Sequence, residues 1–174
     1  MNESDVFALY ERLYFHEIER RSAIDARANL PLALLLAQSG LLAYLLNKAP
    51  LSLESGASQT FWMLFAIAVL CTAVAAWFCI HGLVRFTDKL LPTANATEIY
   101  RQELIELYGP FENSQALVAG AMREYLYQYY MAFSSTNAVN NDARSYSLFR
   151  SVIWLTAAIV AGLSSRVPLL ILSP

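Results

Sequence analysis

Charge is what this sequence has least of. Only 15% of its 174 residues are Asp, Glu, Lys or Arg, against about 25% in a typical soluble domain. The apolar share is 57% and the mean hydropathy +0.40. A chain so short of charge cannot clothe itself in a soluble surface, which excludes a soluble globular enzyme and a disordered tail. Cysteine is scarce too. Cys71 and Cys79 are the only two, and on a helix they stand about 12 Å apart along the axis, too far to bridge each other. A disulfide scaffold is excluded. Histidine is limited to His16 and His81, and no phosphate loop, nucleophile elbow or metal-spaced Cys/His set occurs. No catalytic residue, metal site or cofactor is therefore assigned.

The apolar excess is concentrated in two charge-free runs: 24 residues from Phe61 to Val84 and 18 from Leu30 to Asn47. At about 1.5 Å per residue each can cross a hydrocarbon core. The basic residues lie around them in a pattern. Arg12, Arg20, Arg21 and Arg27 precede the first run, Lys48 alone occupies the connector, and Arg85, Lys89, Arg101, Arg123, Arg144 and Arg150 follow the second. The positive-inside rule places the N-terminus in the cytoplasm and the connector outside. A charged stretch ahead of the first run speaks against a cleavable signal peptide.

The expected fold is an all-α integral membrane protein: a two-span hairpin, a cytoplasmic helical bundle and a third C-terminal span. Its parts are a cytoplasmic amphipathic helix (1–28), a first span (29–47), an outer connector (48–60), a second span (61–85), a cytoplasmic helical region (86–150) and the third span (151–174). In the first helix Val6, Leu9, Tyr10, Leu13, Tyr14 and Ile18 form an apolar stripe, and Glu17 and Arg21 make an i,i+4 pair. Pro31 predicts a kink at the membrane entrance. Phe61 and Trp62 fit an interfacial aromatic anchor. Thr97 is the expected N-cap of a helix running to Tyr108, stopped by Gly109-Pro110. A further helix from Asn113 either runs unbroken into Val152–Leu163 or breaks at Ser134–Asn137, where propensity is weak. Read through Arg166, which can snorkel outward, the C-terminal stretch is long enough to span; read as stopping at Leu163, it is a short or re-entrant segment.

Polar groups inside the spans are costly to bury unpaired. Gln38, Ser39 and Asn47 on the first span, with Glu54 beyond it, are the candidate pore lining; the plain structural alternative is hydrogen bonding between helices. Small residues at four-residue spacing, Ala33/Ala37, Ala68/Thr72/Ala76 and Ala158/Gly162, favour close helix contact within and between chains. In the cytoplasmic helix, Arg123, Tyr125, Tyr129, Asn137, Asn141, Asp142, Arg144 and Arg150 are the candidate ligand-binding or oligomer-seam residues. Arginines beside tyrosines can hold phosphates and stack bases, and a ring of asparagines around an oligomer axis would fix register. Arg12 and His16 carry a weaker reading as a membrane-tethered ribonuclease.

The charged helix ending Glu17-Ile-Glu-Arg-Arg-Ser-Ala-Ile-Asp-Ala-Arg27, the tight hairpin, Tyr125–Tyr130 and Asn137-x3-Asn141-Asp142-x-Arg144 together resemble the SLATT-like small transmembrane effectors of bacterial anti-phage systems. That resemblance implies a pore-forming effector, tetrameric or larger, in the bacterial inner membrane. It also implies membrane lipid as a partner and control by a nucleotide or oligonucleotide from a neighbouring nucleotidyltransferase or cyclase. The competing expectation is a non-conducting scaffold that recruits a cytoplasmic partner through the tyrosine-rich helix.

Overall fold

The computed structural model describes residues 2–50 and 54–172, and every regular element among them is an α-helix. In chain order these are α1 (Glu3–Arg27), α2 (Asn29–Asn47), α3 (Gly56–Val84), α4 (Ala94–Tyr108), α5 (Ser114–Ser164) and α6 (Arg166–Leu172). Three stretches, Ser4–Asn47, Gly56–Val84 and Ser114–Pro168, are long and apolar enough to cross a membrane. Contacts divide the chain into two units: Met1–Ser22 with Thr87–Asn141, here the head unit, and Ala23–Phe86 with Asp142–Pro174, here the span unit.

One spacing governs burial. Along α5 and at the turn just after it, the buried residues Ser134, Asn137, Asn141, Arg144, Leu148, Ser151, Leu155, Ala158, Gly162 and Ser165 follow alternating steps of three and four. Pro31, Gln38 and Leu45 on α2 stand seven apart, and Ser58, Phe61, Ala68, Ala75, Cys79 and Gly82 on α3 obey the same rhythm. A mean step of 3.5 residues is the period of a left-handed coiled-coil seam. Small residues set the contact distances. A Cβ on Gly162 would meet Gln38 Nε2 at 3.2 Å and Leu41 Cδ2 at 3.3 Å, and one on Gly82 would meet Ser147 Cβ at 3.1 Å. Helices drawn this close gain dispersion energy from their many atom contacts.

Several local expectations shift. Pro31 falls in the first turn of α2, where a missing N–H costs nothing, and the interruption shrinks to Ala28, whose own N–H still bonds to Ile24 and Asp25. Helix α3 starts at Gly56, because Ser55 accepts from the Ser58 N–H at 3.1 Å. The connector between α2 and α3 is therefore shorter than the expected 48–60; Leu51–Leu53 lie outside the described residues. Phe61 is fully buried, stacked on Phe65 at 5.8 Å, so it is not an exposed anchor. Helix α4 starts at Ala94 with Thr93 as its cap, one turn before Thr97. Helix α5 runs 51 residues without a break, through both Gly120 and Ser134–Asn137.

Candidate functional site

In the head unit the site begins with a backbone problem. Residues 85–93 lie between α3 and α4 and form no helix, so their N–H and C=O groups need other partners. Helix α5 supplies them. The Asn137 amide grips the Lys89 peptide at both ends, accepting from its N–H at 2.8 Å and donating to its C=O at 3.0 Å. Asn140 donates to Thr87 O at 2.9 Å. From α1, the Tyr14 hydroxyl accepts from the Leu91 N–H at 3.2 Å. Asn141, with no exposed surface, donates to both Glu17 O at 2.8 Å and Glu17 Oε2 at 2.9 Å. Arg20 reaches the same carboxylate at 3.4 Å. Arg21, expected to pair with Glu17, is drawn instead to the buried Asp88 carboxylate at 2.5 Å, where a shielded ion pair is the stronger one.

These partners change the reading of the asparagine motif. Asn137 and Asn141 bond inside one chain, and Arg144 of the span unit donates to Phe86 O. None of the three is free to form a ring around an oligomer axis, because each is buried and already bonded. Asp142 is exposed. The buried Glu17 also explains why the α1 stripe is displaced. The face turned inward carries Tyr14, Glu17, Ile24 and Ala28, leaving Leu9 and Leu13 each 41% exposed.

The tyrosines separate into two groups. Tyr125 stacks on Tyr100 of α4 at 4.4 Å and meets Tyr129 edge-on at 4.8 Å. Burial, then the hydrogen bond with Tyr129, raises the Tyr125 pKa above its ordinary value. Tyr130 packs on Phe7 and Tyr14 of α1, both at 5.6 Å. Burial, then the nearby Glu11 carboxylate, raises its pKa too. Arg123 sits apart from Tyr125 and Tyr129. With Tyr127, Val6 and Phe7 it lines a groove of about 400 Å³ between α5 and α1. Arg12 and His16 line a second hollow on α1 with Glu11 and Glu19, a mixed-charge surface.

The span unit keeps polar groups of its own. Gln38 is 2% exposed and donates from Nε2 to Ala158 O at 3.1 Å, while its Oε1 has no partner among the described residues. Ser39, the neighbouring residue, is exposed and its hydroxyl returns to Leu35 O at 2.8 Å. Asn47 and Glu54 are exposed. Thus Gln38 faces into its own chain and shares no surface with the other three proposed lining residues. Sequence reasoning missed Ser151, whose hydroxyl donates to Ala75 O at 2.8 Å. Its signal was there: Ser147, Ser151, Leu155, Ala158 and Gly162 continue the spacing of the noted Ala158/Gly162 pair. Arg166 lies with its guanidinium 5.6 Å from the Tyr44 ring centre. Comparison with family models, characterised proteins and solved structures finds no match for this chain.

Proposed function

We propose that this chain is an inner-membrane protein of bacteria that assembles, as a tetramer or larger ring, into an ion-conducting pore serving anti-phage defence. Three apolar helices and the one-sided distribution of basic residues support insertion with the head unit in the cytoplasm. The observation that carries the assembly is the outer face of α2. Ala33, Ala37, Gly40, Tyr44 and Asn47 are all exposed, and at about 100° per residue they fall within an arc of about 80°, on the opposite side from Gln38. A Cβ on Gly40 would touch nothing within 4 Å. In a bilayer such a face lets a second helix approach closely, and the Asn47 amide can bond across the seam. The conducting path then runs beside Asn47 with Glu54 at its outer mouth, and Gln38 serves packing inside each subunit.

Control by a nucleotide or oligonucleotide belongs to the same proposal. Its support is the groove between α1 and α5, where Arg123 offers a phosphate partner beside Glu124 and the rings of Phe7 and Tyr127, which also meet Tyr130 and Tyr10 edge-on. A ligand there gates only by binding the open and closed states unequally. The scaffold reading is weaker, because Tyr125, Tyr129 and Tyr130 are occupied within the chain.

The test is reconstitution. The purified protein in planar bilayers is expected to give discrete currents, and Gly40→Leu to abolish both currents and the oligomer seen by mass photometry. A wild-type chain that remains monomeric and passes no current rejects the pore.

A further inference from the structure

Two arginines at one end of the span unit are held in place without an acid to neutralise them. Arg85 follows α3 directly, with Nη1 2.6 Å from His81 Nε2. A guanidinium cannot accept, so Nε2 accepts and Nδ1–H donates to Ser147 Oγ, 3.3 Å away. Ser147 donates in turn to Ala143 O at 2.9 Å. Arg150 of α5 lies with Cζ 5.4 Å from the Phe78 ring centre and 5.8 Å from that of Tyr146. Its Nε is buried and has no hydrogen-bond partner among the described residues. Phe78 and His81 are three residues apart, about one turn, on α3, so both guanidinium groups are anchored on the same short stretch of that helix. Among the described residues neither arginine makes an ion pair with a carboxylate. Two cations held at one end of the unit with no carboxylate partner leave a local positive charge that an anion can meet.

The neighbouring surface identifies the anion. Trp77 is 66% exposed, Val84 76% and Phe149 61%, and Trp77 lies 6.4 Å from the His81 ring. A charged pair bordered by exposed tryptophan and aliphatic surface, at the level where α3 ends, matches a molecule with an anionic head and apolar tails. We infer that Arg85 and Arg150 together bind the phosphate of an anionic phospholipid at the cytoplasmic surface, with Trp77 and Phe149 against its upper acyl chains. His81 and Ser147 position Arg85, and Phe78 and Tyr146 position Arg150. The inference rests on the membrane insertion proposed above and deepens it by naming the lipid class and its site.

Native mass spectrometry of the full-length protein in detergent, supplied with equal phosphatidylglycerol and phosphatidylcholine, tests it. Retention of phosphatidylglycerol is expected to exceed that of phosphatidylcholine by about tenfold, as one or two charge-assisted contacts would give. R85Q/R150Q should bring the two lipids to parity, whereas R85K/R150K, which keeps the charge, should retain a clear preference. Parity in the wild-type chain, or undiminished preference in R85Q/R150Q, overturns the site. So does complete displacement of the lipid by inorganic phosphate, which would make it a site for soluble anions. Washing membranes with alkaline carbonate separates the two proposals. Release of the chain overturns insertion and this inference with it; lipid parity in a chain that resists the wash overturns this inference alone.

Discussion

Asn141→Leu should be the most damaging single change in the head unit. The side chain is fully buried and makes two bonds to Glu17, one to its carboxylate and one to its backbone carbonyl. A bond to a charged group contributes about 1.5–3 kcal/mol and a neutral one about 0.5–1.5 kcal/mol. Leucine has nearly the same volume but returns only part of this as apolar burial. It also leaves a carboxylate that is largely shielded from water, with Arg20 beside it at 3.4 Å. The expected loss is about 3 kcal/mol, or about 6–12 °C in Tm for a chain of this size. Thermal melts followed by circular dichroism at 222 nm in detergent micelles measure it. A second substitution checks the cause. Glu17→Gln in the Asn141→Leu background removes the stranded charge and should recover about half of the loss. If Asn141→Leu lowers Tm by less than about 2 °C, or if Glu17→Gln adds a further loss, then the Glu17–Asn141 pair does not stabilise the head unit as argued.

Gln38→Leu should behave in the opposite way despite equal burial. Its Oε1 is already unpartnered, so stability should move by less than about 1 kcal/mol in the same melts, and bilayer conductance should stay at the wild-type level. Gly162→Val forces a branched side chain against Gln38 Nε2 and Leu41 Cδ2 at 3.2 and 3.3 Å, and should cost about 1–3 kcal/mol. Alkaline titration should separate the tyrosines. The pKa values of Tyr125 and Tyr130 are raised above 10.0, so each contributes stability that is complete below that value and lost as pH climbs through the higher folded one. Tyrosinate absorbance at 295 nm should rise late for these two, and Tyr130→Phe should remove part of the late phase. Glu98 shows the reverse sign. Arg101 and then Gln102 hydrogen-bond its carboxylate and lower its pKa from 4.5 to about 2, so its small contribution is complete above 4.5 and lost as pH falls through about 2. Carboxyl carbon shifts followed by NMR should place its midpoint well below 4.5.

The long apolar helices were legible in the sequence because length and apolarity follow a one-dimensional rule. Eighteen or more residues without charge are written in the order of the chain itself, and α2 and α3 fall where those runs stand. Helix starts were less legible. Thr93 and Thr97 are equally good caps by residue type, and the choice between them depends on where residues 85–93 stop needing partners from α5. The face of α1 was least legible. Periodicity counts apolar side chains, so it rotated the stripe toward Leu9 and Leu13. The packed face carries Glu17, whose burial is tolerated because Asn141 and Arg20 both reach its carboxylate. A sequence displays Glu17 and Asn141 separately and gives no sign that one answers the other across 124 positions.

The same logic accounts for asparagines in the middle of the longest helix. Asn is a poor helix former, because its side chain competes with the backbone for hydrogen bonds. Asn137, Asn140 and Asn141 would therefore favour a break in α5 if their amides were free. They are not free: Asn137 holds the Lys89 peptide, Asn140 the Thr87 carbonyl and Asn141 the Glu17 carboxylate. Each amide that could unwind α5 instead bonds to a neighbouring segment, and the helix stays continuous for 51 residues. The connector benefits equally, since its unpaired backbone groups gain partners without becoming helical. Weak helix propensity at these positions is thus the sequence trace of a long-range polar contact. It follows that Asn137→Ala, which improves local propensity by a few tenths of a kcal/mol, should nonetheless destabilise the head unit by about 1–3 kcal/mol through the two lost bonds to Lys89. Hydrogen exchange reads this directly. The Lys89 amide should lose protection while amides within α5 keep theirs, and faster exchange along α5 itself would show that Asn137 serves the helix and not the connector.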